Sequence, residues 1–472
     1  MSFPLLFIKD NNRNKERGSS KMATKAELIK KDLAHALHPF GVKGAEPIIW
    51  EKGEGIYIQD IDGNRYIDTT SGGVHLVNLG HARKELIDAV NEQAKKLAYF
   101  SAGAPNAATE VYIDYCTELA EVLPGDINHV YITCSGSEAT EVAVQMARHY
   151  WDSVGQPEKY KVIAIHRAYH GGTLLSRGLT GSHIGMGSFG RRPPEVVKAP
   201  NYYCQECAFG LTYPDCDMAC AKFIESVLIH EGPETVSCMI AEVAFGNGGV
   251  LWPPDEWWPM VREITKKYDV LLIADEVQTG FCRSGKFWGV DHYNVVPDIL
   301  NMAKGINCGF LPFGAVGVSA KLIDAFPEGQ PFKGYTTSDA NALVVASARA
   351  ALKIYREQNM ADRVAKLGAH MTKRFESEFA PLPVVDAISG KGLYQSFAIA
   401  LNKTTGKPYD PEATAKARDF LVAKGKEKGV LLGACDGYPR RQPIVPPFII
   451  TEAELDKVLD VTLSLLKQIK PA

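Results

Sequence analysis

The chain has 472 residues, with 52 Lys plus Arg against 55 Asp plus Glu, for a formal net charge of -3. Hydrophobic residues make up 46% and charged residues 23%, the balance of an ordinary globular protein with enough apolar material for a sizeable core, which excludes a disordered or fibrous chain. The near-neutral charge argues against a broad nucleic-acid surface, and no apolar run reaches the roughly 18 residues that would mark a membrane-crossing helix.

In chain order, residues 1–22 open with a short apolar stretch, Met1 to Phe7, followed by a polar segment of mixed charge. The apolar stretch is too short for a secretory leader and no cationic region precedes it, so residues 1–22 read as a disordered extension. Helical periodicity begins at Lys25–Leu37. Alternating segments at 55–60 and 64–68 flank Asp62-Gly63, a hairpin signal. A long region of short apolar runs and amphipathic helices follows. The expected strands are His129–Cys134, Lys161–Ile165, Val236–Ala241, Val270–Ala274, Ile299–Ala303 and Phe313–Val318, with helices at Glu138–Trp151 and Trp257–Tyr268. Apolar strands joined by helical crossovers imply an α/β fold, a mostly parallel sheet covered on both faces. Beyond it, Ala340–Asn359 and Met360–Phe379 read as helices, Leu393–Leu401 as a strand, Pro411–Lys424 as a helix, and Thr451–Gln468 as a closing helix whose Thr451 and Glu454 form a capping box. The expected division is 1–22 extension, 23–75 N-terminal segment joining the small domain, 76–338 large domain, and 339–472 small α+β domain.

The ten cysteines are mostly scattered singly, as at Cys116, Cys134, Cys238, Cys282, Cys308 and Cys435. In a chain this long they form no disulfide framework, and a reducing cytosol is the natural compartment. Cys204, Cys207, Cys216 and Cys220 stand apart as a C-x2-C-x8-C-x3-C cluster. Four thiolates suit a tetrahedral metal, but the middle spacer is shorter than in common zinc ribbons. Free thiols in a folded loop, a structural metal and a disulfide are all compatible with it.

Four signals at strand ends carry chemistry, and ligands of such sheets sit at the carboxyl ends of strands. Ser135-Gly136-Ser137 follows a strand and opens a helix, where unpaired N–H groups and the helix dipole favour an anion. In Tyr169-His170-Gly171-Gly172 an aromatic stands beside glycines that let a flat ligand approach. The run Ile273 to Gly280 ends an apolar strand in Asp275 and Glu276, and a buried carboxylate there needs a cationic partner, a metal or a protonated ring nitrogen. Lys304, in Met302-Ala303-Lys304-Gly305, is a strand-end lysine whose pKa burial would lower, making it a usable amine nucleophile. A phosphate cradle, a stacking aromatic, an acid and an amine are together what pyridoxal phosphate requires. The Ser135, Tyr169 and Lys304 signals taken singly also have ordinary structural explanations: a helix cap, a partly buried turn tyrosine and a surface lysine at a strand terminus.

On these motifs, and above all on Leu272–Gly285 and Asp298–Gly305 with the spacing from Asp275 to Lys304, the chain from about residue 25 to 470 resembles the class III pyridoxal-phosphate aminotransferases of fold type I. The resemblance implies a mostly parallel seven-stranded sheet with helices on both faces, plus a small α+β domain. It implies Lys304 as the Schiff-base lysine and proton shuttle, Asp275 as partner of the pyridine nitrogen, and Tyr169 and Val277 on the two ring faces. Gly136 and Ser137 are implied at the phosphate, with Ser135, His170, Glu242 and Gln278 as further cofactor contacts. Thr336 resembles the threonine that reaches the phosphate of a neighbouring subunit, which implies a homodimer with shared active sites. The activity implied is ping-pong transfer from an amine donor to a 2-oxo acid; a decarboxylase or aminomutase of the same fold would use the same lysine and aspartate.

The substrate side departs from familiar members. Many glutamate-using relatives carry an Arg three residues before a Pro-Pro pair; here the pair is Pro446-Pro447 and that position is Pro443, although the acid that usually pairs with it remains as Glu242. The nearest match to a mobile upstream Arg is Gly433. Arg440 and Arg441 are left as candidates for a carboxylate or sulfonate contact, alongside solvated loop positions. His75 stands where amine:pyruvate members often have a bulky aromatic and is a candidate pocket residue. Ser338-Asp339-Ala340-Asn341 replaces a common Ser-Gly-His-Pro. The nearest subgroup is the ω-amino-acid and amine transaminases of the taurine–pyruvate type, leaving taurine, β-alanine, 4-aminobutyrate and diamines as donors, with pyruvate or 2-oxoglutarate as acceptor. A non-catalytic metal-binding module organised by the cysteine cluster would leave the four cofactor motifs unexplained.

Overall fold

The computed structural model describes residues 23–39, 41, 43–101, 107–182, 190–329, 332–400, 410–434 and 440–471. The expected extension over 1–22, Phe40, Leu401 and Cys435 lie outside them. The chain divides into two units, one of residues 1–52 and 59–64, the other of 53–58 and 65–472.

In the first unit, helix Lys25–His35 starts at Thr24, which accepts from the Glu27 N–H while Glu27 reaches back to the Thr24 N–H. The turn at 60–64 is built by Asp60, whose Oδ1 accepts from the N–H groups of Asp62 at 3.1 Å and Asn64 at 2.9 Å. Such Asx geometry is why Asp-x-Asp-Gly-Asn reads as a turn.

The second unit is built on a seven-stranded sheet. Its strands are β1 (Ile127–Thr133), β2 (Lys161–Ile165), β3 (Val196–Ala199), β4 (Val236–Glu242), β5 (Leu271–Asp275), β6 (Ile299–Met302) and β7 (Gly314–Ser319). The spatial order is β1-β7-β6-β5-β4-β2-β3. β7 runs antiparallel to both β1 and β6, and the other neighbours are parallel. Successive side chains leave the sheet on opposite faces. Val162, Ala164, Cys238, Ile240, Leu271 and Ile273 join a core under helix Gly136–Ser153, while Ile163, Ile165, Met239, Ala241, Leu272 and Ala274 join the larger core on the other face. This double burial makes the strands continuously apolar rather than alternating. Each fully buried Leu, Ile or Val contributes about 1.5–3 kcal/mol.

The expected strands and helices are present within one to five residues at their ends. β3 was not anticipated: it is a four-residue edge strand with Lys198 inside it, whose ammonium donates to the Leu179 carbonyl. Later in the chain an antiparallel sheet joins Val385–Lys391, Tyr394–Ile399 and Arg441–Ile444. Only the middle strand was expected, because Asp386, Ser389 and Gly390 interrupt the apolar pattern of the first. The closing helix is Glu452–Leu466 with the capping box on Thr451 in place. Among the described residues no helix is long and apolar enough to cross a membrane.

Candidate active site

A cavity of about 440 Å³ opens at the carboxyl ends of the central strands. The sheet register aligns Glu242 with Asp275, and Asp275 with Asn301, across three neighbouring strands. Lys304 follows β6 by two residues, so the three chemically active side chains are delivered by consecutive strand ends. Ser135, Gly136, Ser137, Tyr169, His170, Glu242, Asp275, Val277, Gln278 and Lys304 all line this one cavity.

Lys304 begins a short turn, Lys304–Ile306, with φ at 42°, a left-handed conformation that costs a side-chain-bearing residue energy and is kept only where the surroundings impose it. Its ammonium is pushed down to about 8 by burial, against the attraction of Glu242 and Asp275 and with added repulsion from Arg283. Asp275 is 4% exposed; its Oδ2 meets His170 Nδ1 at 2.7 Å and its Oδ1 accepts from the Val277 N–H at 3.1 Å. Both oxygens are thereby held in place. Glu242 accepts from the N–H groups of Tyr169 at 2.7 Å and Gly246 at 2.9 Å. Burial, then the charge of Asp275, push its carboxyl up to about 8. The site thus holds an amine that releases its proton more readily than a free lysine and an acid that holds one more tightly than a free glutamate.

The helix start in the lining is polar for a different reason. Helix Gly136–Ser153 begins here with Ser135 as its cap, accepting from the Glu138 N–H at 3.2 Å. The N–H groups of its first turn have no intrahelical partner. Ser137 Oγ accepts from the Gly172 N–H at 3.0 Å, which leaves its own hydrogen to donate. A Cβ on Gly136 would stand 3.3 Å from Ala303 Cβ and from both Val277 methyls, and one on Gly171 would stand 2.6 Å from Ser137 Oγ. Glycine is therefore required at 171, and at 136 a side chain would press on Ala303 and Val277.

His75 is hydrogen-bonded to Gln278 Oε1 at 3.1 Å and meets the Tyr394 ring edge-on at 5.8 Å. Burial and the Lys304 charge push its imidazole down to about 3, so it is a neutral group beside the cavity. Thr336 is exposed and outside the cavity lining. Its hydroxyl donates to Asp339 Oδ1 at 2.6 Å and lies 3.9 Å from the Sγ of Cys134, which does line the cavity.

The two arginines offered as substrate contacts are placed elsewhere, and that expectation is corrected. Arg441 is fully buried in strand Arg441–Ile444 and donates to the Gly249 and Ser396 carbonyls and to Ser396 Oγ. Arg440 pairs with Asp386 and with Glu206. Both guanidinium groups are taken up in holding the three-stranded sheet and its neighbours, and among the described residues no arginine lines the cavity. Sequence reasoning also missed the wall formed by Leu76, Cys134, Asn307 and Phe310–Phe313, whose only signal is the run Gly-Phe-Leu-Pro-Phe after the Lys304 turn. It assigned no role to Arg283, a fully buried cation that donates to Pro446 O at 2.7 Å, Asn78 Oδ1 at 2.5 Å and Ser71 Oγ at 3.1 Å.

A buried amine, a braced carboxylate, a helix N-terminus and the side chains of Tyr169 and Val277 on one cavity lining suit a flat aldehyde cofactor that bears a phosphate and a ring nitrogen. Comparison with known proteins agrees. Residues 41–466 match the family Aminotransferase class-III. The chain is 32% identical over 458 residues to the taurine–pyruvate aminotransferase of Bilophila wadsworthia, covering 92% of this chain and 96% of that one. It is 32% identical over 442 residues to the putrescine–pyruvate aminotransferase of Pseudomonas aeruginosa, covering 92% and 94%. The crystal structure of the ω-transaminase from Pseudomonas jessenii in complex with PMP superposes with a TM-score of 0.88 at 27% identity, covering 93% of this chain and 98% of that one. The protein is an enzyme that transfers amino groups with the help of pyridoxal phosphate. It belongs to the class III aminotransferases.

Proposed function

We propose that the enzyme takes the amino group from a donor whose amine sits on a terminal carbon and passes it to pyruvate or 2-oxoglutarate, in a ping-pong cycle at Lys304. The observation that carries this reading is the convergence of Lys304, Asp275 and the helix start at Gly136 on one cavity. The named substrates of the two relatives, taurine and putrescine with pyruvate, support the choice of a terminal amine.

Pyridoxal phosphate, when bound, supplies an aldehyde that captures the amine and a ring that draws electrons from the donor carbon. Lys304 holds the cofactor between turnovers and, once displaced, moves a proton at the donor carbon. Its depressed proton affinity suits both duties. Asp275, fixed by His170 and the Val277 N–H, stabilises a proton on the ring nitrogen. Tyr169 and Val277 cover the ring faces, while Gly136, Ser137 and the capped helix start hold the phosphate. Thr336, exposed and turned by Asp339, reaches the phosphate of a second subunit. Glu242 keeps its proton and so adds no second negative charge beside Asp275. His75 and Gln278 form a neutral, polar patch for the donor.

A screen of taurine, β-alanine, 4-aminobutyrate and diamines against each oxo acid, read as alanine or glutamate formed, tests the proposal. Strong turnover with terminal amines supports it. Preference for 2-amino acids, release of carbon dioxide, or turnover without a second substrate overturns it.

A further inference from the structure

We propose that Cys204, Cys207, Cys216 and Cys220 form a binding site for one thiophilic divalent cation of the zinc class, separate from the reaction cavity. All four cysteines line a single small cavity of about 20 Å³, together with Tyr202, Tyr203 and Tyr213. A space of this size holds about one water-sized sphere or one ion, and no organic substrate. None of the four is in a disulfide.

Two separate pieces of chain bring the thiols together. Cys204 opens the turn Cys204–Glu206 and Cys207 closes it. Cys220 lies in the first turn of helix Ala219–Glu231, with Cys216 just before it. Asp217 and Met218, between this second pair, both take left-handed backbone with φ at 47° and 52°. Neither is glycine, so a conformation that side-chain-bearing residues avoid is held where it turns Cys216 and Cys220 onto the same cavity.

A divalent cation binds cysteines as thiolates, so its uptake would release the protons of the thiols it claims. The sulfurs stand apart around the cavity, with no three within 4.8 Å of one another. Sulfurs on a tetrahedral zinc are about 3.8 Å apart, given Zn–S bonds of about 2.3 Å. Rotation of cysteine side chains between staggered positions shifts sulfur by up to about 3 Å, so closure of the shell requires side-chain rotation.

The ion would brace the reaction cavity from behind. Tyr202, two residues before Cys204, stacks on Phe245 with ring centroids 4.0 Å apart and donates to the Glu242 carbonyl at 3.2 Å. Tyr203 carries the Arg167 guanidinium over its ring at 4.1 Å. Fixing Cys204 and Cys207 to Cys216 and Cys220 would hold the segment that backs the strand end bearing Glu242.

Metal analysis of the reduced, cofactor-loaded enzyme after equilibration with zinc and desalting tests this, together with thiol titration of the native protein. The expected result is one zinc per chain, four thiols that react only after chelation, their renewed protection when zinc returns, and a higher melting temperature with zinc. The double variant Cys207→Ser, Cys216→Ser should lose the zinc while keeping the cofactor's visible absorption. Wild-type enzyme that takes up only substoichiometric zinc, a double variant that retains it, or recovery of these cysteines as disulfides after alkylation under denaturing conditions would each overturn the proposal.

Discussion

At the scale of single residues, the chemistry rests on how burial changes Lys304. An ammonium cannot attack an aldehyde, so capture of pyridoxal phosphate by the apoenzyme should follow the neutral fraction of this amine. With its pKa pushed down from 10.5 to about 8, the second-order rate of cofactor capture should climb about tenfold per pH unit below 8 and level off above it. Stopped-flow absorbance measures this, and a rate still climbing steeply near pH about 10 would mean that the amine is unperturbed. Arg441 makes the opposite kind of statement. Its guanidinium is spent on Gly249 and Ser396, so Arg441→Ala should destabilise the fold by roughly 2–5 kcal/mol by leaving buried acceptors unpaired. Thermal melting should drop while the KM values for donor and acceptor stay close to wild type; a selective rise in the acceptor KM without loss of stability would restore Arg441 as a substrate contact. Lys304 and Asp275 were legible in the sequence because a charged residue ending an apolar strand is costly without a purpose. Arg440 and Arg441 misled because two adjacent arginines near the chain end give no sign of which backbone carbonyls will claim them.

At the scale of elements, the sheet register and one antiparallel strand position the site. β7 is inserted between β1 and β6, and at its first residue a Cβ on Gly314 would stand 2.4 Å from the Ser135 carbonyl oxygen. The obstacle is backbone and cannot swing away. Gly314→Ala should therefore displace the cap of helix Gly136–Ser153 and weaken cofactor affinity by roughly tenfold, the effect of an overpacking strain of about 1.4 kcal/mol. Equilibrium titration of the apoenzyme reads this directly, and unchanged affinity would separate the helix start from phosphate binding. The central strands were readable because both of their faces are buried and their apolar runs are unbroken. β3 and strand Val385–Lys391 were not, because edge position admits Lys198 in one and Asp386, Ser389 and Gly390 in the other. The wall from Asn307 to Phe313 was invisible for a related reason: it is loop, and its apolar residues carry no period.

At the scale of the whole molecule, the proposed dimer gives a test that a single chain cannot. If Thr336 serves the phosphate of a second subunit, mixing Lys304→Ala with Thr336→Val chains creates hybrid dimers in which one of the two sites is intact. Cofactor affinity and turnover should then recover to about half of the wild-type sites per hybrid. No recovery in verified hybrids would place Thr336 at its own subunit's cavity, on the side where Cys134 already lies 3.9 Å away. The account as a whole stands on the covalent bond between Lys304 and its cofactor. Borohydride reduction of the loaded enzyme, followed by mass mapping of its peptides, measures that bond. The account predicts a pyridoxyl phosphate mass on the peptide containing Lys304 and its loss in Lys304→Ala; the label on any other lysine, or none at all, would contradict it.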